Sequence, residues 1–247
     1  MVKIKKITFL LPLLSLLAMS MHAQTKFKPE DTEYYSPELR TVTTTANGAP
    51  SDAIVLFNGT NLDQWIASND RNKAQWLVHN NTVTVAPGKG NIQTKDTFED
   101  FQLHIEWKSP EVRKGEGQGR GNSGIFLQGY YEIQVLDNRD NPTYVNGEAA
   151  SLYKQQPPLV RVLANNDAWH SYDIVYSAPR FNKDGVLLKK GSVTVLHNGV
   201  LVQNNTQIEG TTEYIGLPKI IAHGAGPIIL QDHGDLVQFR NIWIRRL

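Results

Sequence analysis

The chain of 247 residues contains no cysteine. Disulfide bonds and thiolate metal sites are therefore excluded, and a folded domain must be stabilised by its buried apolar core alone. A domain of roughly 200 residues buries about 70% of its unfolded surface, so a chain of this length can fold without covalent crosslinks.

The sequence also lacks an apolar run long enough to span a bilayer and lacks any large excess of one charge. Its apolar stretch at residues 7–18 follows a basic start at 1–6, which is typical of a secretory signal. We expect a signal peptide at 1–23 and an exported mature protein, periplasmic or secreted, with no lipid anchor because no cysteine follows the apolar run. Without the three lysines of the signal, 22 basic and 24 acidic side chains remain. This balance predicts no nucleic-acid partner, and the pattern predicts no membrane span in the mature protein.

Two regions follow the predicted signal. Residues 24–51 contain Pro29, Pro37 and Pro50 with little apolar periodicity, which predicts a loosely packed leader. From 52 to 247, short alternating apolar runs are separated by turn-forming pairs such as Asn-Gly, and no long segment has a helical period. This pattern predicts one all-β domain, a two-sheet antiparallel sandwich whose concave face is the expected ligand site.

The strands are predicted from alternation and from turn residues. Between two apolar runs, Asn198 and Gly199 predict a tight hairpin, because both residues accept the positive φ angles of such a turn. The predicted strands lie at 53–57, 75–85, 101–108, 122–127, 130–136, 169–177, 191–197, 199–203, 227–231 and 236–246.

The segment 121–137 carries the strongest chemical signal. Alternation places Glu132 and Gln134 on one face of a strand, and a bulge near residue 136 would bring Asp137 onto the same face. These residues could act as a base, an orienting amide, and a second acid or metal ligand. The alternative is that Glu132 and Gln134 form only the solvated face of an amphipathic strand.

Other polar residues are candidates by position. His104 and Glu106 share one face of their strand and would join the groove if that strand neighboured residues 130–136. The candidates for catalysis are Glu132, Asp137 and His233, and those for substrate binding are Gln134, His104, Glu106, Asn122, Lys154 and Gln231. No His and Asp cluster has strong metal-ligand spacing, so no cofactor is assigned, the metal ligands stay unknown, and a divalent metal is an open alternative. The oligomeric state is not predicted.

Six ordered motifs together resemble the 3-keto-disaccharide hydrolase family. They are Leu56–Trp65, Asn122–Leu127, Tyr131–Asp137, Tyr153–Leu159, Leu230–Gly234 and Val237–Ile242. The resemblance extends from about residue 52 to residue 247. It implies a concanavalin-like jelly-roll sandwich, a carbohydrate substrate, and cleavage of glycosides already oxidised at C3 of the sugar.

The polar strand is also similar to the Glu-x-Asp-x-x-Glu strand of laminarinase-like hydrolases, but the middle acid is Gln134 here. An ordinary retaining glycosidase needs two carboxyl groups about 5–5.5 Å apart. A 3-keto group instead acidifies the C2 proton, so elimination at C2 and C1, with or without later hydration, needs one base, a donor to the keto oxygen and an acid for the leaving group.

Two other functions remain open at the level of sequence. A non-catalytic sugar-binding module would use the same polar residues only to hydrogen-bond hydroxyl groups. A conventional β-glucanase would need a second carboxylate near Glu132, for which Asp137 and Glu106 are the candidates. A perturbed carboxylate in a deep pocket would favour an enzyme over a binding module.

Overall fold

The computed structural model of the chain describes residues 26–45, 48–164 and 168–247. The predicted signal peptide lies outside the described residues. In this part of the chain, no helix has the length and apolar character needed to cross a membrane.

Chain contacts divide the molecule into two units, Met1–Thr41 and Val42–Leu247. The described part of the first unit contains one short 3₁₀ helix, Pro29–Thr32. The described part of the second unit contains fifteen strands, numbered β1 to β15 along the chain, and two further 3₁₀ helices, Gly117–Gly119 and Val145–Gly147.

The strands of the second unit form two main antiparallel sheets. The larger sheet has eight strands. Seven of them lie in the order β13 (Val200–Gln207), β12 (Ser192–His197), β9 (His170–Ser177), β6 (Phe101–Lys108), β15 (Gln238–Arg246), β4 (Thr82–Thr84) and β3 (Leu77–His79). The eighth strand, β1 (Ile54–Phe57), pairs with β15. The smaller sheet has the order β2 (Trp65–Ala67), β5 (Ile92–Thr94), β14 (Ile229–Leu230), β7 (Ser123–Leu127) and β8 (Tyr131–Val135). A separate ribbon consists of β10 (Arg180–Phe181) and β11 (Leu187–Lys189).

Alternating apolar side chains bring the two sheets together. In β6, Leu103 and Ile105 are fully buried, while His104 between them is only half-buried. In the smaller sheet, Ile125 and Ile133 are fully buried in the same apolar cluster. Because side chains alternate along a strand, each sheet has one face in the core and one face directed away from the other sheet.

The predicted all-β, two-sheet antiparallel jelly-roll sandwich is confirmed. The predicted hairpin is also present, since β12 and β13 meet at Asn198 and Gly199, whose φ angles are 50° and 77°. The short strands β2, β5, β10 and β11 were not predicted, because two or three residues are too few to establish an alternation.

Candidate functional site

The candidate site lies on the face of the smaller sheet that is directed away from the larger sheet. On β8, Ile133 is fully buried in the core between the sheets, so Glu132 and Gln134 point to the opposite, outer face. These two side chains are nevertheless only 4% and 1% exposed. The interpretation of Glu132 and Gln134 as a solvated face is therefore wrong.

The outer face at β8 is enclosed by a chain segment that runs beside the strand. The Gln134 N–H donates to the Ser151 carbonyl at 3.1 Å, and the Tyr153 N–H donates to the Glu132 carbonyl at 3.0 Å. Leu152, between them, forms a bridge with Ile133 and is fully buried. Alternation therefore places Ser151 and Tyr153 on the same outer face as Glu132 and Gln134.

A row of small and polar residues crosses this face. Gly124 of β7 is the cross-strand partner of Gln134, and the Gln231 N–H donates to the Gly124 carbonyl at 3.0 Å. With Ser151 beside Gln134, the order across the sheet is Gln231, Gly124, Gln134 and Ser151. We refer to these four residues as the polar row. Because neighbouring strands lie about 4.8 Å apart, the row is roughly 14 Å long.

The polar row contains three buried side-chain oxygens that make no hydrogen bond to any described residue. They are Gln231 Oε1, Gln134 Oε1 and Ser151 Oγ. The Gln134 amide nitrogen, by contrast, donates to Gln118 Oε1 at 2.8 Å. A buried polar atom without a partner costs about 1–3 kcal/mol, so three of them in one row indicate a surface adapted to a polar ligand.

The Glu132 carboxyl group lies directly over Gly124. A Cβ atom built on Gly124 would come within 2.4 Å of Glu132 Oε1, so only glycine leaves room for this position. Within the described part of the chain, no side chain or backbone N–H donates to the carboxylate, and none forms an ion pair with it. Burial raises the pKa of Glu132 to about 8. Glu132 is therefore a stronger base when ionised than an ordinary glutamate, and it becomes fully ionised only above about pH 8.

Two tyrosines and a lysine form a wall beside Glu132. The Tyr144 and Tyr153 hydroxyl groups are 2.5 Å apart and share a hydrogen bond. Lys154 Nζ lies 4.8 Å from the centre of the Tyr144 ring and 5.7 Å from that of Tyr214. Burial raises the pKa of Tyr153, as do the Tyr144 hydroxyl and the Glu132 carboxyl group nearby. Both phenols thus stay protonated, and because one of them donates to the other, the pair has one O–H left to donate to a ligand.

Side-chain amides fix the loops that carry these residues. The Gln155 amide donates to the Gly210 carbonyl at 3.0 Å and accepts from the Glu209 N–H at 2.9 Å, which holds the chain next to Lys154.

The predicted ligand Asn122 acts indirectly on the site. Its side-chain amide donates to the Gln118 carbonyl at 2.7 Å, and its backbone N–H donates to the Asp235 carboxylate at 2.9 Å. Asn122 therefore positions Gln118, the partner of Gln134.

The structure does not bring His104 and Glu106 to this site. Their strand β6 pairs with β9 and β15, and both side chains lie on the outer face of the larger sheet. His104 forms a 2.7 Å hydrogen bond with Asp173, and Glu106 accepts from Arg240 at 2.6 Å and from Asn241 at 2.8 Å. The condition for their joining the groove, a strand neighbouring β8, is not met.

Asp137 also lies apart from Glu132. The pairing of β7 with β8 is regular up to Val135, and the Asp137 N–H donates to the Gly121 carbonyl at 3.1 Å in the same register, so the predicted bulge that would turn Asp137 onto the outer face does not form. The Asp137 carboxylate instead lies 2.9 Å from Arg113 Nε and 3.2 Å from Arg120 Nε. An ion pair at the end of the strand, roughly 16 Å along the chain from Glu132, accounts for its burial.

The two candidates in the turn after β14 differ from each other. Gln231 belongs to the polar row, whereas His233 is exposed and makes no hydrogen bond, ion pair or ring contact with the described residues.

Across residues 26–45, 48–164 and 168–247, no three His, Cys, Asp or Glu side chains come together in a group that could hold a metal. The divalent metal stays a prediction.

Several residues of the site were not identified from the sequence. Gly124 and Tyr153 stand within motifs that the sequence shares with a known family, and Tyr153 directly precedes the predicted Lys154. Tyr144 and Ser151 belong to an irregular loop, where no periodicity indicates which way a side chain points. Their positions follow from the hydrogen bonds of the loop with β8.

Comparison with known proteins identifies the family that the chain resembles. The family of the 3-keto-alpha-glucoside-1,2-lyase-like domain matches residues 52–245 of the chain. A 3-keto-disaccharide hydrolase of Bacteroides thetaiotaomicron is 26% identical in an alignment of 268 positions, gaps included, that covers 86% of each chain.

Solved structures give the same fold. A protein from Parabacteroides distasonis assigned to the glycosyl hydrolases is 51% identical, covers 91% of this chain and 98% of its own, and superposes with a TM-score of 0.87. A second such protein from the same organism is 21% identical and covers 79% of this chain and 94% of its own, with a TM-score of 0.58, which shows the shared fold alone.

Proposed function

The chain belongs to the 3-keto-alpha-glucoside-1,2-lyase-like domain family, and from this premise we propose that it cleaves glycosides already oxidised at C3 by elimination across C2 and C1. The observation that carries the proposal is the buried carboxyl group of Glu132. It lies without a partner over Gly124, beside the unpaired oxygens of the polar row.

Glu132 is the base in this proposal. Its carboxylate takes the C2 proton, and the electron pair of the C2–H bond forms an enolate with the C3 keto group. The enolate then reforms the ketone, a C1–C2 double bond forms, and the C1–O bond breaks to release the aglycone oxygen, which takes up a proton. A base with a pKa of about 8 is better matched to a carbon acid than an ordinary glutamate.

The wall of tyrosines supplies the donors. Tyr153 and Tyr144 hold their protons tightly, so the one O–H that their mutual hydrogen bond leaves free stabilises the enolate oxygen by donating to it rather than by complete proton transfer. The Lys154 ammonium group adds positive charge on the same side. Ser151 and the two glutamine oxygens of the polar row bind hydroxyl groups of the sugar ring.

The arrangement of residues around Glu132 is less suited to a conventional glycosidase or to a non-catalytic sugar-binding module. A conventional glycosidase needs a second carboxyl group near Glu132, and both candidates lie elsewhere in the described structure, Asp137 with arginines and Glu106 on the other sheet. A binding module gains nothing from a buried carboxyl group with a raised pKa, whereas a base does.

The direct test compares phenyl 3-keto-glucoside with phenyl glucoside as substrates for the mature protein. We expect release of phenol from the oxidised glycoside only, with kcat/KM rising with pH towards about 8 as Glu132 ionises. Both α and β anomers are assayed, because the structure does not distinguish them. Equal cleavage of the unoxidised glucoside would support a conventional glycosidase. Binding without cleavage of any glycoside would support the sugar-binding module.

A further inference from the structure

The outer face of the smaller sheet changes from polar to apolar along its strands. On the chain that contains β14, the outer-face residues are Gln231, Ile229 and then Pro227, since Ile228 and Leu230 are fully buried in the core. On β7 the change is from Gly124 to Phe126. One end of this face therefore carries the polar row, and the other end carries apolar side chains.

The apolar end is continuous and open to solvent. Phe126 is the cross-strand partner of Ile229, and a Cβ atom built on Gly129 would lie 3.4 Å from Ile229 Cδ1 and 3.9 Å from the Pro227 ring. Phe126, Ile229 and Pro227 are all half-buried rather than buried. We refer to these three residues as the apolar strip.

Glu132 lies at the boundary between the two ends. Its backbone pairs with Phe126 of the apolar strip, while its carboxyl group extends over Gly124 of the polar row. In a glycoside, C1 carries the leaving group and is bonded to C2, the atom that Glu132 deprotonates. A sugar ring placed over the polar row therefore has its reacting bond at this boundary.

We infer that the apolar strip is the subsite for the aglycone, and that the preferred substrates carry an aromatic or otherwise apolar aglycone. This inference rests on the proposed function and adds the class of leaving group to it. An aromatic group that packs on Phe126 would bury apolar surface on both partners. A hydroxyl-bearing sugar in the same place would bury less, so it would gain less binding free energy. On this face, the buried oxygens without a hydrogen-bond partner belong to the polar row and not to the apolar strip. This distribution agrees with a sugar subsite at one end and an aglycone subsite at the other.

The test uses methyl and phenyl 3-keto-glucosides with the wild type and the Phe126→Ala variant. We expect Phe126→Ala to lower kcat/KM for the phenyl glycoside by about tenfold and for the methyl glycoside by less than about twofold. Dividing each value by that of the wild type on the same substrate removes the intrinsic reactivity of the leaving group. Ile229→Thr keeps a β-branched strand residue and should reproduce the effect in a smaller degree, which covers a failure of Phe126→Ala to fold.

Two further variants separate the alternatives. Gln231→Ala should lower kcat/KM for both glycosides by similar factors, because the polar row contacts the sugar ring common to both. If Tyr214→Ala rather than Phe126→Ala selectively impairs the phenyl glycoside, the aglycone lies against Tyr214, beside Lys154, and not on the apolar strip. That result overturns the inference. Equal losses on both glycosides in Phe126→Ala and Ile229→Thr would overturn it as well. Wild-type protein that cleaves neither glycoside would refute the proposed function itself.

Discussion

Replacing Glu132 with glutamine should lower kcat for a 3-keto-glucoside by about 10²–10⁴-fold with little change in substrate affinity. Glutamine preserves the size of the side chain over Gly124 but cannot accept a proton from carbon. Steady-state kinetics, together with a direct binding measurement on the variant, separates the loss of turnover from a loss of binding.

Glu106→Gln is the matched control for this substitution. Glu106 is also a glutamate on the outer face of a strand, but its strand belongs to the larger sheet and its partners are Arg240 and Asn241. We expect kcat to stay within about threefold of the wild type. A Glu132→Gln variant as active as this control would mean that another group is the base.

The wild type and Glu132→Gln should differ in how the stability of the fold depends on pH. Burial raises the folded-state pKa of Glu132 to about 8, so between its ordinary pKa and pH 8 the folded state binds more protons than the unfolded state. The wild type therefore loses stability over this range as the pH rises, and Glu132→Gln does not. At pH 9 we expect the variant to melt on the order of 5 °C above the wild type, while at pH 4 the two should be similar.

Substituting alanine for Gly124 should reduce kcat/KM by about 10²-fold or more. The added Cβ would lie 2.4 Å from Glu132 Oε1, so the flexible end of the glutamate must move away from its position in the polar row. The backbone of Gly124 is that of an ordinary β-strand, and alanine introduces no strain in φ. The fold should survive because only the carboxyl end of Glu132 has to shift.

Gly224→Ala is the control, since a Cβ atom there meets no atom within 4 Å and the backbone conformation suits any residue. It should leave kcat/KM within about twofold of the wild type. Activity of Gly124→Ala equal to that of Gly224→Ala would show that the position of the Glu132 carboxyl group over Gly124 is not needed for turnover.

The fold and the central residues of the site were predictable because both depend on alternation. Leu103 and Ile105 alternate with polar residues, and so do Ile133 and Val135 with Glu132 and Gln134. Alternation identifies the face that a residue occupies, but not which strands become neighbours. For that reason, His104 and Glu106 could not be separated from the site until the order of the strands was known.

The sequence also did not reveal which loop side chains are buried beside β8. Tyr144 and Ser151 reach Glu132 and Gln134 because an irregular segment hydrogen-bonds along the edge of β8. Such contacts depend on individual backbone conformations, for example the positive φ of 62° at Lys154, and no periodic pattern encodes them. Asp137 appeared catalytic for a related reason, because its arginine partners lie about 20 residues earlier in the chain.

The fate of a deuterium label at C2 of a 3-keto-glucoside tests the elimination most directly. If Glu132 removes the C2 hydrogen, every turnover breaks the C2–D bond and passes the label to the Glu132 carboxyl group, from which it exchanges with solvent or returns to C2 when water adds. The unsaturated sugar should therefore carry no C2 label, C2 deuteration should slow aglycone release, and turnover should fall in Glu132→Gln. Labelled 3-keto-glucose in buffer measures the uncatalysed exchange. A product that retains its full C2 deuterium, together with aglycone release at the same rate from labelled and unlabelled substrate, would contradict the proposed mechanism.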